Sequence, residues 1–116
     1  MPGYYEPAGD LDPRTRALSH GINTLIEELE ATDYYNQRVS TCTDPDLRKL
    51  MEHNRDEELE HAAMAIEWLR RQFPQFDAEL RQYLFTTGDL IAIEEGEGDH
   101  GDSGPAATGL GIGKIK

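Results

Sequence analysis

Two long stretches in which apolar residues recur with a helical period, separated by a very short connector, constrain this fold more than any other feature. The first stretch begins at Asp12, which can cap a helix, and Pro13, whose missing N–H costs nothing at the first helical position. Its apolar residues recur at intervals of 4, 3 and 4, at Leu18, Ile22, Leu25 and Leu29. This spacing predicts a long α-helix with one apolar face.

The segment "STCTDPD" ends the first helix and starts a second one. Thr43 or Asp44 can cap the new helix, and Pro45 can occupy its first position. The stripe of the second helix, which ends before Phe73 and Pro74, comprises Leu47, Met51, Asn54, Glu58, His61, Ala65, Trp68 and Leu69. Two helices of about eight turns and ~40 Å each, joined by about three residues, are forced into an antiparallel hairpin.

The rest of the chain predicts smaller parts around this hairpin. We expect a flexible N-terminal arm over residues 1–12 and a helical domain over residues 13–95, in which "FDAELRQYLF" adds a short third helix. The apolar residues 86–95, "TTGDLIAIEE", show no period that assigns them to an element. Residues 96–108 are polar and rich in glycine, which predicts a flexible linker before a distinct terminal peptide at residues 109–116.

Charge and composition limit the partners. The length of 116 residues suits one domain, and no apolar run is long enough to cross a bilayer, so we expect no membrane partner. The net charge of −12 argues against nucleic acid, because binding phosphates needs Lys and Arg, and makes cations the more natural ligands. The single Cys42 cannot form an internal disulfide, and no secretory signal is present, which predicts a cytoplasmic protein.

The apolar stripe of the second helix contains two polar groups, Glu58 and His61. At 100° per residue both fall among the apolar positions of the stripe. An unpaired carboxylate in an apolar interior is strongly disfavoured, so it must be protonated, paired with a cation or bound to a metal. For an isolated Glu-x-x-His pair, a core histidine that hydrogen-bonds the glutamate is the slightly favoured alternative.

Glu28 on the first helix shifts this balance towards a metal. It lies at the edge of the apolar face, fifteen residues before Thr43, whereas Glu58 lies fifteen residues after it. In an antiparallel hairpin both carboxylates therefore stand about 22 Å from the bend, with His61 one turn further along. Two carboxylates and an imidazole at one level form a ligand set that suits iron, manganese or zinc.

One chain provides half of a known kind of site. Carboxylate-bridged di-iron bundles use one Glu from each of two helices and one Glu-x-x-His from each of two others. A two-fold dimer would supply Glu28, Glu58 and His61 twice and place a metal pair on its axis. The predicted fold class is therefore all-α: an antiparallel two-helix hairpin plus a short C-terminal helix, which dimerises into a ferritin-like four-helix bundle.

The segments "EELEATDYYNQR", "TDPDL", "HNRDEELEHAAMAIEWLRR" and "YLFTTG" resemble the encapsulated ferritins over residues 22–85. The resemblance implies a ferroxidase that oxidises Fe(II) with dioxygen across a subunit interface. It implies two irons per homodimer, a decameric ring of five dimers, and little storage volume within that ring. Other divalent cations can substitute at such a site.

The resemblance also implies roles for individual residues. Glu58 would bridge two irons, Glu28 and His61 would each hold one iron terminally, and Tyr35 would lie in or near the ligand shell. The family's outer iron-uptake carboxylates correspond to Glu27 and Glu30. Tyr34 lies near them, where members of the family often carry tryptophan, so this chain departs from the family at the uptake gate.

A second acidic group is visible on the second helix. His53, Glu57 and Glu60 share a face at intervals of 4 and 3, which would permit a peripheral metal site. A solvated acidic face is the favoured alternative for these three residues.

The last eight residues, "GLGIGKIK", place Leu110, Ile112 and Ile115 between glycines in an otherwise polar tail. Apolar side chains on a flexible tether suit docking into a groove of another protein. The segment also resembles the cargo-loading peptides of encapsulin shells, which implies an encapsulin shell as partner and a location inside its nanocompartment. A frayed terminus is the alternative.

Two other functions remain open from sequence. A metal-free helical interaction module would use the acidic surface alone. A non-catalytic iron carrier or an oxygen-binding helical protein would hold metal without oxidising it. Oxygen-binding di-iron bundles are rich in histidine at the metals, whereas this chain offers one interior histidine, His61, and otherwise carboxylates. That ligand set favours oxidation over reversible binding.

Overall fold

The computed structural model describes residues 3–96, and every regular element within them is helical. The elements are α1 (Pro13–Thr41), α2 (Pro45–Gln72), α3 (Pro74–Tyr83) and α4 (Leu90–Glu94), preceded by a 3-10 turn over Ala8–Asp10. The all-α class and the two long helices are thus confirmed. Among residues 3–96, no helix combines the length and apolar character that a bilayer span requires.

The chain divides into two compact units, Met1–Gln72 and Phe73–Lys116. The structure covers residues 3–72 of the first unit and 73–96 of the second. The predicted terminal peptide, residues 109–116, and all but the first residue of the predicted linker, 96–108, lie outside the described residues.

The two long helices begin where the sequence places their caps. The Asp12 carboxylate accepts a 2.7 Å hydrogen bond from the Thr15 backbone N–H, and this bond lowers the pKa of Asp12. Of the two candidates for the second cap, Asp44 fills the position, because its Oδ2 accepts a 3.0 Å bond from the Leu47 N–H. Only residues 42–44 separate the helices, as predicted.

Hydrogen bonds across the hairpin establish the antiparallel arrangement of α1 and α2. Near the open end, Arg14 Nη2 donates to the backbone oxygen of Gln72 over 2.7 Å. Closer to the connector, Arg55 Nη1 donates to Asn36 Oδ1 over 3.1 Å. Early residues of α1 therefore pair with late residues of α2, and the same antiparallel register holds at both contacts.

The core of the hairpin is a thin seam. Among the described residues of this unit only Val39, Ala62 and Leu69 are buried. Several large apolar side chains stay exposed, including four of the predicted apolar face: Ile22 at 41%, Leu29 at 48%, Leu47 at 47% and Trp68 at 40%. Two helices can cover only one stripe of each other. The remaining apolar surface is of the kind that marks association sites.

The predicted flexible arm makes specific contacts where the structure describes it. The Tyr4 hydroxyl lies 3.2 Å from Nε2 of His20, and the two rings are stacked. Arg16 Nη1 donates to the Ala8 backbone oxygen over 3.0 Å. The Tyr4 ring and the Ala8 carbonyl of the arm thus contact the first turns of α1, and the flexibility of the arm stays a prediction.

The second unit contains residues 86–95, the segment for which the sequence showed no helical period. Asp89 caps α4 by accepting a 2.9 Å bond from the Ala92 N–H. Ile93 of α4 is fully buried, and its carbonyl accepts a 3.2 Å bond from Gln82 Nε2 on α3. A positive φ at Phe85 and at Gly88 turns the chain between the two short helices. A helix of five residues is too short to show a period.

Candidate metal centre

Two carboxylates and one imidazole from the two long helices converge at one level of the hairpin. Glu28 lies on α1, and Glu58 and His61 lie on α2. Nδ1 of His61 is 3.5 Å from Oε1 of Glu28 and 3.4 Å from Oε1 of Glu58. One ligand atom from each residue lies within 4.8 Å of the other two. Donors bound about 2.0–2.2 Å from one ion are at most about 4.4 Å apart, so small side-chain adjustments suffice to bind a cation.

Contacts on both sides of this cluster hold the helices in register. Towards the connector, the hydrogen bond between Asn36 and Arg55 crosses the hairpin. Towards the open end, the indole of Trp68 packs against Gly21. The cluster is therefore positioned by cross-helix contacts that involve none of its own members.

The three candidate ligands are half-buried rather than buried. Their side chains are 25% exposed for Glu28, 24% for Glu58 and 41% for His61. The expectation that the hairpin would bury Glu58 and His61 in an apolar stripe therefore needs correction. Two helices leave one flank of the cluster open, because a third and a fourth helix would be needed to cover it.

Mutual interactions in the cluster change the proton affinities of two of its members. The pKa of Glu28 is raised, chiefly by a hydrogen bond shared with the Glu58 carboxyl, and further by partial burial and by repulsion from Glu58. Partial burial lowers the pKa of His61, but its hydrogen bonds to both carboxylates and their negative charges outweigh that effect, so the pKa is raised overall. A raised pKa means that each group gives up its proton less readily, so protons compete with a cation for this cluster.

The donor set fits iron. Carboxylate oxygen and imidazole nitrogen are hard to borderline ligands, which suit iron and manganese as well as zinc. Sites with three such protein ligands leave coordination positions open, and open positions are what a reactive non-haem iron site needs. Glu28, Glu58 and His61 could therefore hold an iron ion and leave room for ligands from a second chain, water or an oxidant.

Tyr35 lies on the same face of α1 as Glu28, two turns further along, and is half-buried. The guanidinium carbon of Arg38 lies 5.7 Å from the centre of the Tyr35 ring, which is cation–π contact distance. Arg38 was not among the predicted residues, although its spacing of three residues from Tyr35 is one at which helical side chains meet. Tyr34, by contrast, is 56% exposed.

The other predicted ligands are not brought together within one chain. Among residues 3–96, the cluster of Glu28, Glu58 and His61 alone gathers three such ligand atoms. Glu27 and Glu30 are exposed on α1. On α2, His53 Nε2 lies 4.0 Å from Glu57 Oε2, with both side chains largely exposed, and Glu60 does not join them.

Comparison with known proteins gives consistent matches. Residues 3–87 match the family described as EncFtn-like. A "Ferritin-like protein" of Thermotoga maritima is 47% identical over 112 residues, which covers 97% of this chain and 96% of that protein. An "Encapsulated ferritin-like protein" of Rhodospirillum rubrum is 47% identical over 121 residues, covering 97% of this chain and 86% of that protein.

A solved structure also matches the fold. The crystal structure of protein ne0167 from Nitrosomonas europaea has a TM-score of 0.75 and 53% sequence identity to this chain. The match covers 77% of this chain and 98% of that one.

Proposed function

Because the chain belongs to the EncFtn-like family, we propose that it is a ferroxidase, which oxidises Fe(II) to Fe(III) at a di-iron site between two copies of the chain. The observation that carries this proposal is the convergence of Glu28, Glu58 and His61 within 4.8 Å, on a flank that the hairpin itself leaves open. Three side chains per copy are half of the ligand set of a carboxylate-bridged di-iron site.

Exposed apolar side chains around the cluster support a dimer at this flank. Three apolar residues lie on the same side of α2 as His61: Leu50 eleven residues before it, Met64 three residues after it and Trp68 seven residues after it. Their exposures are 55%, 59% and 40%. A second hairpin packed on this flank would cover them and supply the other three ligands, which completes a four-helix bundle.

Iron acts as the substrate in this proposal, and the side chains determine its oxidation. Glu58 would bridge the two irons, while Glu28 and His61 would each hold one. The carboxylates stabilise the harder Fe(III) relative to Fe(II), which favours loss of an electron. His61 must be neutral to bind, so metal binding competes with its protonation. Two neighbouring Fe(II) ions would supply one electron each to dioxygen, which is thereby reduced to the level of peroxide while both irons become Fe(III). Tyr35 completes the surroundings of the pair.

A second apolar surface supports an assembly larger than the dimer. Ile22, Ile26 and Leu29 on α1 and Leu59 on α2 are exposed. At 100° per residue they point at least about 100° away from Glu28 or His61 on their own helices. Because a single interface cannot cover both surfaces, a ring of dimers, proposed as a decamer, would use the second one.

Glu27 and Glu30 are proposed as the outer uptake site. Both are exposed on α1, immediately before and two residues after Glu28, with Tyr34 one turn further along. Exposed carboxylates close to the ligand cluster would raise the local concentration of Fe(II). For His53, Glu57 and Glu60 a solvated acidic face fits the separation of their side chains better than a peripheral site.

The oxidised iron is proposed to be mineralised elsewhere, inside an encapsulin nanocompartment in the cytoplasm. The relative of Rhodospirillum rubrum is named an encapsulated protein, and it is 47% identical to this chain. In the terminal peptide, Leu110, Ile112 and Ile115 would supply the apolar area that docks on the shell. Iron storage and detoxification would then be functions of the shell and its cargo together.

Deleting residues 109–116 tests the shell partner separately from the chemistry. Fe(II) oxidation by the isolated protein should stay unchanged, because the peptide carries no ligand of the proposed site. Co-expressed with a matching encapsulin, the truncated chain should stay outside purified shells. Its presence inside them at the wild-type ratio would refute the docking role.

The ferroxidase itself is tested by comparing iron binding without dioxygen and iron oxidation with it. The account predicts two Fe(II) bound per two chains under anaerobic conditions, followed by oxidation on mixing with dioxygen that is much faster than in buffer. Binding without accelerated oxidation would favour a non-catalytic iron carrier. Absence of binding would leave only a metal-free interaction module.

A further inference from the structure

Gly21 occupies a position in the interior of α1 at which no side chain fits. A Cβ atom built there would overlap the indole of Trp68, lying against Cζ3, 2.8 Å from Cε3 and 3.2 Å from Cη2. Ordinary carbon contacts are about 3.5–4.0 Å. A glycine inside a helix costs stability relative to alanine, so its presence here needs a compensating contact. The indole provides that contact.

The notch that Gly21 leaves in α1 faces α2, where the indole of Trp68 fills it. Trp68 lies two turns beyond His61 on the same side of α2, about 10 Å away along the helix axis. Its ring packs against Gly21 and yet remains 40% exposed. Part of Trp68 is therefore held by the notch, and the rest stays accessible on the side of α2 that carries His61.

We propose that Gly21 and Trp68 form a positioning pair, in which the indole seated in the notch is the surface on which a second copy of the chain rests. The inference builds on the proposed function, since it assigns residues that set the separation of the two hairpins. The occupant is a second copy because each copy holds only half of the ligands, on this same flank. Large aromatic side chains in such positions carry much of the energy of an interface.

The spacing of the two hairpins matters because a metal pair on the dimer axis spans both of them. A Cβ at position 21 would force the indole out of the notch and so change the surface on which the partner would rest. Displacements of about 1 Å at a reactive site can cost about 100-fold in rate. Gly21 would thus affect the metal centre without contacting it.

A double-mutant cycle on the full-length chain tests this pair. The variants are Gly21→Ala, Trp68→Leu and their combination, with Gly9→Ala as matched control, because a Cβ at Gly9 meets nothing within 4 Å. Native mass spectrometry measures the fraction of iron-loaded dimer, stopped-flow absorbance measures oxidation, and circular dichroism of dilute metal-free samples measures the stability of the hairpin alone.

The expected result is strong non-additivity. Gly21→Ala should lower the population of iron-loaded dimer and the oxidation rate by about tenfold or more while helix content is retained. In the Trp68→Leu background the same change should cost less than about twofold, because the shorter side chain leaves the notch free. Gly9→Ala should behave as wild type.

Three outcomes would overturn the positioning pair: no loss on Gly21→Ala, an equal loss in both backgrounds, or a loss confined to the stability of the metal-free hairpin. The proposed function is judged separately on the wild type. The wild type could dimerise without oxidising iron, and Gly21→Ala could still weaken that dimer when Trp68 is present but not when it is Leu. In that case the ferroxidase proposal fails, and the packing role of Gly21 and Trp68 stands. A wild type that stays monomeric with iron contradicts both.

Discussion

Two groups of metal-ligand side chains on the same helix differ in what the fold does with them. His53, Glu57 and Glu60 share one face of α2, but they remain largely exposed and do not gather around a point. Glu58 and His61 have the same chemistry, yet Glu28 joins them from α1. Composition and local spacing are alike in the two groups. Three ligand atoms therefore gather only where the other helix adds one, and the hairpin register determines where that happens.

The largest effect should come from removing equivalent histidines from the two groups. His61→Ala should slow Fe(II) oxidation by at least about 100-fold, because loss of a direct ligand should exceed the 10–100-fold cost of losing a residue that merely supports one. His53→Ala should change the rate by less than about twofold, as expected of a solvated side chain. Stopped-flow absorbance with circular dichroism as folding control measures both. Equal losses in the two variants would erase the distinction between the groups.

A smaller effect should separate the central carboxylate of α1 from its exposed neighbours. The double variant Glu27→Ala/Glu30→Ala should slow oxidation about two- to fivefold at low iron, because fewer charges attract Fe(II), and should lose little at saturation. Two metals per two chains should still bind in native mass spectra. Glu28→Ala, in contrast, should lose those metals. If the double variant loses them too, the outer carboxylates are ligands and not an uptake route.

The smallest effect concerns pH, and its sign differs between metal binding and stability. The carboxylates raise the pKa of His61 above 6.5 despite its partial burial, so iron affinity should fall as pH falls through that raised value. For the metal-free hairpin, protonated His61 contributes stability that is full below pH 6.5 and is lost as pH rises through the raised pKa. In iron titrations and thermal melts, His61→Ala should remove the part of each pH dependence that follows the raised pKa of His61 and leave the part due to Glu28. A wild-type affinity independent of pH between 5 and about 8 would contradict this account.

The sequence predicts the parts of the molecule that local chemistry dictates. Asp12 and Pro13 define the start of α1, and a connector of three residues allows only a hairpin, so the convergence of Glu28 with Glu58 follows from counting. The roles of the individual site residues remain predictions. Burial was overestimated, because the apolar stripe is wider than the seam that two helices can form.

The sequence could not predict contacts between side chains that are far apart along the chain. Spacing along a helix does not reveal that Tyr4 reaches His20 or that Trp68 lies over Gly21. A lone glycine in a helical pattern was nevertheless a signal, since it usually has a packing reason. The short helix Leu90–Glu94 was not predicted, because five residues show no period. Burial of Ile93 holds this helix in place.

The central claim is that one chain holds half of a metal site and a second copy completes it. Initial oxidation rates per chain, measured over a dilution series alongside native masses of the same samples, test this most directly. The account predicts that the rate per chain follows the fraction of dimer or larger assembly, with two irons per two chains, and vanishes as monomer dominates. A demonstrably monomeric sample that oxidises Fe(II) at the full rate per chain would contradict it.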